Sequence, residues 1–168
     1  MSLAVTLTAL VGFIILDHTA VVNMVLTFIG VFLVAGGASA LNQYQERRAD
    51  SMMERTRHRP IPSGAMRPLV VLEITIIMII AGLMILIYLS WITALLGVIN
   101  VILYNLVYTS LKRITYLAII PGSLVGAIPP LMGWCAAREL SIRYYNIYLI
   151  HNIPVAGSSF LDAPGRAP

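Results

Sequence analysis

The sequence predicts an all-α protein that crosses a membrane several times, and three observations support this fold class. Hydrophobic residues make up 59% of the chain. Charged residues make up 11%, whereas soluble domains carry about a quarter. Long apolar runs recur, and charged residues concentrate in the short stretches between them. We therefore predict a polytopic transmembrane helix bundle of about five spans, in one domain.

Five apolar runs predict the helices, at residues 3–16, 21–41, 69–89, 91–110 and 114–137. The first is short for a span, and it lacks the basic segment and cleavage site of a signal peptide. The next three have the roughly 20 residues that a bilayer-crossing helix needs. The fifth contains Pro121, Pro129 and Pro130, which membrane helices tolerate where neighbouring helices satisfy the freed carbonyls.

Composition divides the chain into two regions. Residues 1–140 form the predicted transmembrane region, and residues 141–168 form a predicted irregular tail that is rich in aromatic, glycine, alanine and proline residues. The single cysteine, Cys135, excludes an intrachain disulfide and a cysteine-rich zinc site. Its apolar surroundings favour a packed core residue over a reactive thiol.

Basic residues predict the orientation of the bundle. Two loops on the same face hold eight of the eleven lysines and arginines, namely Arg47, Arg48, Arg55, Arg57, Arg59, Arg67, Lys112 and Arg113. The positive-inside rule places this face in the cytoplasm, as in a multi-pass protein of a bacterial inner membrane or its equivalent. Lipid contact then explains the net charge of +4 without a nucleic-acid partner. Near the same face, Glu73 either snorkels to the interface or faces the bundle interior.

Polar residues at the end of the second run recur every four positions. Asn42, Glu46 and Asp50 share one helix face over about 12 Å. Their oxygens are ligands that suit Mg²⁺, and the arginines that follow match phosphate oxygens. This pattern predicts a magnesium–diphosphate site. The alternative is a solvated helix end with incidental charge pairs.

A second cluster ends the fourth run, in "YNLVYTSLKR". Tyr104, Tyr108 and Lys112 are also four residues apart, and Lys112 is predicted on the same face of the membrane as the acidic stripe. Aromatic faces stabilise cations, so the two rings suit a carbocation intermediate. The alternative is an aromatic belt with a snorkelling lysine. The two clusters together are more specific for diphosphate chemistry than either alone.

These motifs resemble those of a known family. "NQYQERRAD" resembles the first acidic motif, Asn-x-x-x-Asp-x-x-x-Asp, of the UbiA-type intramembrane prenyltransferases. "DSMMERTRHRPIPSG" resembles the Met-x-Arg-Thr-x-x-Arg-Pro run of the protoheme IX farnesyltransferase (haem O synthase) branch. "YTSLKR" and "GSLVGAIPPLMGW" resemble that branch's lysine motif and the Gly/Pro-rich helix after it. The resemblance covers about residues 2–139.

The resemblance implies transfer of a farnesyl group from farnesyl diphosphate to protoheme IX, with Mg²⁺ as cofactor and haem O as product. The implied metal-side catalytic residues are Asn42, Glu46 and Asp50. Lys112 is implied as a catalytic contact to diphosphate. Further contacts on the diphosphate side are expected from Arg55, Arg59 and Tyr108. His58 is either a haem contact or a solvated loop histidine, and no context supports a role for His18 or His151.

The sequence departs from the family pattern in two respects. Glu46 stands where the family has aspartate, which keeps the charge and adds one methylene. Family members are nearly twice as long, and nothing after Glu139 resembles their second acidic motif. We therefore expect this chain alone to make little haem O. The alternatives are an aromatic prenyltransferase acting on a quinone precursor and a non-catalytic, truncated membrane protein.

Overall fold

The computed structural model of the chain describes residues 2–112 and 114–161, and within them every regular element is helical. The helices are α1 (Ser2–Leu16), α2 (Val21–Met52), α3 (Pro68–Leu89), α4 (Trp91–Ile102), α5 (Thr109–Leu111) and α6 (Ile119–Leu161). A π-helical turn, Leu103–Tyr108, joins α4 to α5, and a 3₁₀ turn, Tyr116–Ala118, precedes α6. The prediction of an all-α fold is confirmed.

Among the described residues, four helical segments are long and apolar enough to cross a membrane: Val21–Met52, Pro68–Leu89, Trp91–Leu111 and Ile119–Ile142. α1 is apolar but shorter. Large apolar side chains cover the outside of the bundle, for example Ile77 and Met84, which are 66% and 64% exposed. An apolar exterior of this kind suits lipid, so the predicted polytopic bundle is confirmed.

The connections between the helices follow local chemistry. Between α1 and α2, the Oδ1 atom of Asp17 accepts hydrogen bonds from the backbone N–H and the hydroxyl of Thr19, both at 2.8 Å. These bonds favour the ionised carboxylate and lower the pKa of Asp17 below its usual value. The loop between α2 and α3 contains Gly64 at φ 77°, a conformation that favours glycine. α3 then begins at Pro68, whose missing N–H costs nothing in a first turn.

The helices pack in chain order into a ring that α6 closes against both α4 and α1. At the contact between α1 and α6, a Cβ atom on Gly12 would collide with the carbonyl of Pro130, and one on Gly133 with the carbonyl of Ala9. The two backbones therefore touch because both positions lack a side chain, as is common between membrane helices. The fully buried Phe13 packs in the core beside this contact.

The backbone of α6 continues to Leu161, although the sequence predicts an irregular tail from residue 141. Residues 141–153 contain neither glycine nor proline, so no strong helix breaker interrupts them. The predictions about Arg113, residues 162–168 and the side chain of His151 lie outside the described residues. Glu73 is exposed on α3 and does not face the interior of the bundle.

Candidate functional site

The predicted site residues lie at one end of the bundle, which we call the site end. It comprises the last third of α2, the loop of residues 53–67, and the chain from the π-helical turn to Lys112. α2 has 32 residues, and a helix of that length spans about 48 Å, against about 30 Å for the hydrocarbon core of a bilayer. Its polar C-terminal part therefore projects beyond the apolar layer.

The acidic stripe of α2 faces inward. Asn42 and Asp50 are 7% and 4% exposed, and the side chain of Glu46 is 11% exposed. Carboxylates are rarely so buried unless a basic or hydrogen-bonding partner accompanies them. The structure supplies such a partner for each.

Glu46 is held from two directions. Its Oε2 atom lies 2.8 Å from Nζ of Lys112 and accepts a hydrogen bond of 2.9 Å from Nδ2 of Asn42. The Oδ1 atom of Asn42 accepts a 2.8 Å bond from the hydroxyl of Thr109. The opposite amide orientation of Asn42 would place its oxygen against the Oε2 atom of Glu46, two acceptors in contact, so the bond to Glu46 defines the orientation. The two predicted clusters are thus in direct contact, 66 positions apart in the chain.

Asp50 is held by the loop that follows α2. Nη1 of Arg59 lies 2.8 Å from its Oδ2 atom, and Thr56 donates a 3.0 Å hydrogen bond to its backbone carbonyl. The side chain of Arg59 is 38% exposed, so the guanidinium both reaches the carboxylate and faces the outside. The loop therefore brings one of the two arginines predicted to contact diphosphate to the acidic stripe.

The other loop residues stand apart from this contact. Arg55 is exposed, and among the described residues it makes no ion pair. Arg57 contacts Glu54 at 3.8 Å and donates a 3.4 Å hydrogen bond to the exposed His58. Such exposed pairs contribute little.

The π-helical turn arranges the aromatic cluster. The rings of Tyr104 and Tyr108 stack with centroids 5.8 Å apart, and Nζ of Lys112 lies 5.4 Å from the ring centroid of Tyr108. In an α-helix, side chains four residues apart differ by about 40° in their direction around the helix axis. The wider π-helical turn reduces this difference. The backbone N–H of Thr109 donates to the carbonyl of Tyr104, five residues earlier, which is the bond of a π-helical turn. The hydroxyl of Thr109 lies 2.8 Å from both this carbonyl and Oδ1 of Asn42, so its single proton is shared between the two.

A cavity of about 780 Å³ opens beneath Lys112 and the two tyrosines, between α1, α2, α4 and α6. Its wall is mostly apolar, and its members include Val5, Val31, Val34, Ala38, Val101 and Met132. Asn100 also lines it, and its Oδ1 atom is buried without a hydrogen-bond partner among the described residues. The volume is within the range of about 300–1,000 Å³ that is typical of sites for small organic ligands. Sequence reasoning missed the cavity because it depends on how four helices pack.

The donor set at the site end suits a magnesium ion only in part. Glu46 and Asp50 offer hard oxygens, whereas Oδ1 of Asn42 already accepts a bond from Thr109. In the part of the chain that the structure describes, no three His, Cys, Asp or Glu side chains converge as a metal cage. Mg²⁺ usually takes one or two carboxylates and completes its shell with water and phosphate oxygens, so the two carboxylates fit that mode.

Comparisons with known proteins point to one family. The model of the UbiA prenyltransferase family matches residues 5–156. The chain is 35% identical to a protoheme IX farnesyltransferase of Flavobacterium psychrophilum over 155 residues, which is 89% of the chain and 52% of the relative. Its identity to the Myxococcus xanthus protein of that name is 38% over 135 residues (79% and 46%).

The corresponding Alkalilimnicola ehrlichii protein is 44% identical over 133 residues, which cover 77% of the chain and 44% of the relative. The chain therefore spans about half the length of the curated relatives it matches. No solved structure matches it.

Proposed function

The chain belongs to the UbiA prenyltransferase family, and we propose that it takes part in transferring a farnesyl group from farnesyl diphosphate to protoheme IX, which makes haem O. The relatives named above share the name protoheme IX farnesyltransferase, which favours this reaction over prenylation of a quinone precursor. We also propose that the site end faces the cytoplasm, because the basic loops lie there.

One observation supports the proposal above the others. Lys112 lines the apolar cavity and pairs with Glu46 at 2.8 Å, and about one helical turn further along α2 Asp50 pairs with Arg59 at the same distance. A prenyl diphosphate has a matching division, since its head is highly charged and its tail is a hydrocarbon. The charged head can bind to the basic side chains Lys112 and Arg59, and the hydrocarbon tail can lie in the apolar cavity.

The chain's own residues then act on the diphosphate as follows. Lys112 and Arg59 exchange their carboxylate partners for diphosphate oxygens, which neutralises the negative charge of the leaving group. Glu46 and Asp50, once released, would hold Mg²⁺, which supplies further charge stabilisation to the diphosphate. Asn42 and Thr109 keep the Glu46 side chain in place through their hydrogen bonds.

The apolar cavity governs the rest of the reaction. The C–O bond to diphosphate breaks, and its electron pair leaves with the oxygen, so the farnesyl group becomes an allylic cation. The faces of Tyr104 and Tyr108 attract that cation, and the apolar wall excludes water that would capture it. The π electrons of a vinyl group of protoheme IX then form the new C–C bond, which leaves the positive charge on the vinyl carbon next to the porphyrin ring. A water molecule adds to that carbon and loses a proton, so the product carries a hydroxyl group there.

A binding experiment tests the diphosphate site. Asp50→Ala should abolish the Mg²⁺-dependent binding of farnesyl diphosphate, measured by calorimetry of the purified chain in detergent. Glu54→Ala is the matched control, because it removes a carboxylate that is 90% exposed and lies outside the stripe. Unchanged binding by Asp50→Ala would refute the metal assignment.

A product assay separates the two acceptor classes. Membrane extracts that contain the chain are incubated with farnesyl diphosphate and either protoheme IX or a hydroxybenzoate. Farnesylated haem is the expected product. Prenylated benzoate without farnesylated haem would favour the quinone-precursor alternative.

A further inference from the structure

Two glycines of α6 line the cavity, and their surroundings differ. A Cβ atom on Gly122 would lie 3.2 Å from the ring of Tyr108, whereas one on Gly126 would meet no atom within 4 Å. Ile119, Ser123 and Val125 also line the cavity. All but Val125 follow the i, i+3, i+4, i+7 spacing of one helix face, with Gly126 at its deeper end. A side chain at position 126 would therefore project into the cavity.

The depth of Gly126 follows from the antiparallel packing of α4 and α6. The hydroxyl of Thr93 donates a 3.3 Å hydrogen bond to the carbonyl of Met132 at one level, and Tyr108 lies against Gly122 at another. Gly126 falls between these levels, about 6 Å deeper along α6 than Gly122. Seen from Lys112, it therefore lies beyond the ring of Tyr108.

We propose that Gly126 sets the length of the prenyl chain that the cavity accepts. This inference rests on the proposed function, because it requires the diphosphate head to lie at Lys112. A head held there fixes the start of the chain, so the chain's length decides how far it reaches. At the depth of Gly126 a missing side chain leaves room for the distal isoprenoid units.

The inference is tested by binding of three probes to wild type and to Gly126→Leu, with Mg²⁺, by calorimetry in detergent. The probes are inorganic diphosphate, geranyl diphosphate and farnesyl diphosphate. Because the added side chain occupies the distal part of the cavity, farnesyl diphosphate should bind about tenfold more weakly. Geranyl diphosphate and inorganic diphosphate should keep their affinities within about twofold.

Two further variants make the result decisive. Gly126→Ala adds one methyl group in open space, so the ratio of farnesyl to geranyl affinity should fall in the order Gly, Ala, Leu. Gly122→Ala presses on Tyr108 near the mouth, so it should weaken both prenyl ligands alike. Circular dichroism and gel filtration verify that each variant is folded.

Each outcome has a defined meaning. Equal weakening of geranyl and farnesyl diphosphate by the Gly126 variants, or no weakening of either, would overturn the length-setting role while leaving the proposed function intact. If wild type binds neither prenyl diphosphate, the proposed function fails, and the inference fails with it. A loss confined to the longer ligand supports both.

Discussion

The site end and the crossing of α1 with α6 hold the same bundle together by opposite means. At the site end, long charged side chains reach across between elements, as Lys112 does to Glu46 and Arg59 to Asp50. At the crossing, two helix backbones touch because Gly12 and Gly133 have no side chains. The site end is therefore held by ion pairs between side chains, and the crossing is held by direct contact between two backbones.

This difference separates function from stability. Ion pairs that are largely buried seldom add net stability, because desolvation offsets their attraction. Close backbone contact gains dispersion energy, and in lipid it is a main source of helix association. Substitutions at the crossing should therefore destabilise the fold, whereas substitutions at the site end should weaken diphosphate binding more than they weaken the fold.

The largest effect on stability is expected from Gly133→Leu. The new side chain would collide with the carbonyl of Ala9 and force α1 away from α6, at a cost of about 3 kcal/mol. Unfolding in mixed detergent and SDS micelles measures the change. Gly126→Ala is the control, because its methyl group meets open space. Equal losses of unfolding free energy for both variants would show that the contact between α1 and α6 is not a main source of stability.

Lys112→Met should have the reverse profile. The variant keeps the apolar stem but removes the cation that contacts Glu46, so farnesyl diphosphate should bind at least about tenfold more weakly. The loss of unfolding free energy should be smaller than for Gly133→Leu. Calorimetry and the same unfolding assay give the two numbers, and a stability loss without a binding loss would assign Lys112 to the fold.

A substitution of Asp17 tests how much the connection between α1 and α2, at the end of the bundle remote from the site, contributes to stability. Its pKa is lowered in the folded state, so its contribution is fully present above the unfolded value of about 3.8 and is lost as pH falls through the lower folded value. Asp17→Asn should therefore be less stable than wild type at pH 7. The gap should close in unfolding curves recorded at successively lower pH below 3.8. A gap that persists at the lowest pH would show that the charge is not its cause.

The smallest effect is expected from Arg57→Ala. This arginine is exposed and lies 3.8 Å from Glu54, so its removal should change stability by less than about 0.5 kcal/mol. Diphosphate affinity should also stay unchanged, whereas Arg59→Ala, from the same loop, should weaken it. Parallel calorimetry of the two variants makes the comparison, and equal effects would mean that only the net charge of the loop matters.

Sequence periodicity predicts the stripe because α-helix geometry is regular. Asn42, Glu46 and Asp50 share a face on any α-helix, and the structure places all three on the inner side of α2. The direct contact between Glu46 and Lys112 was beyond that reasoning. It depends on the rotation of one helix relative to another, which spacing within either helix does not define.

The residues that sequence reasoning missed share this cause. Thr109 looks like any polar residue of a helix end, and its role emerges only because Asn42 lies opposite. Gly12 and Gly133 are ordinary glycines of apolar runs until their two backbones meet. The sequence of a single segment shows which residues share a helix face. Which faces contact one another depends on how the helices pack in the fold.

The π-helical turn at Leu103–Tyr108 has a consequence for how this helix can vary. Because this turn is wider than an α-helical one, it changes the direction around the helix axis in which the residues after it point, relative to those of α4. Thr93 on one side is matched to α6, and Thr109 on the other is matched to α2. Losing a single residue within the turn would rotate one half against the other while leaving each half helical. The contacts of Thr93 and Thr109 can therefore both form only if the helix keeps the rotation between these two residues as well as the distance between them.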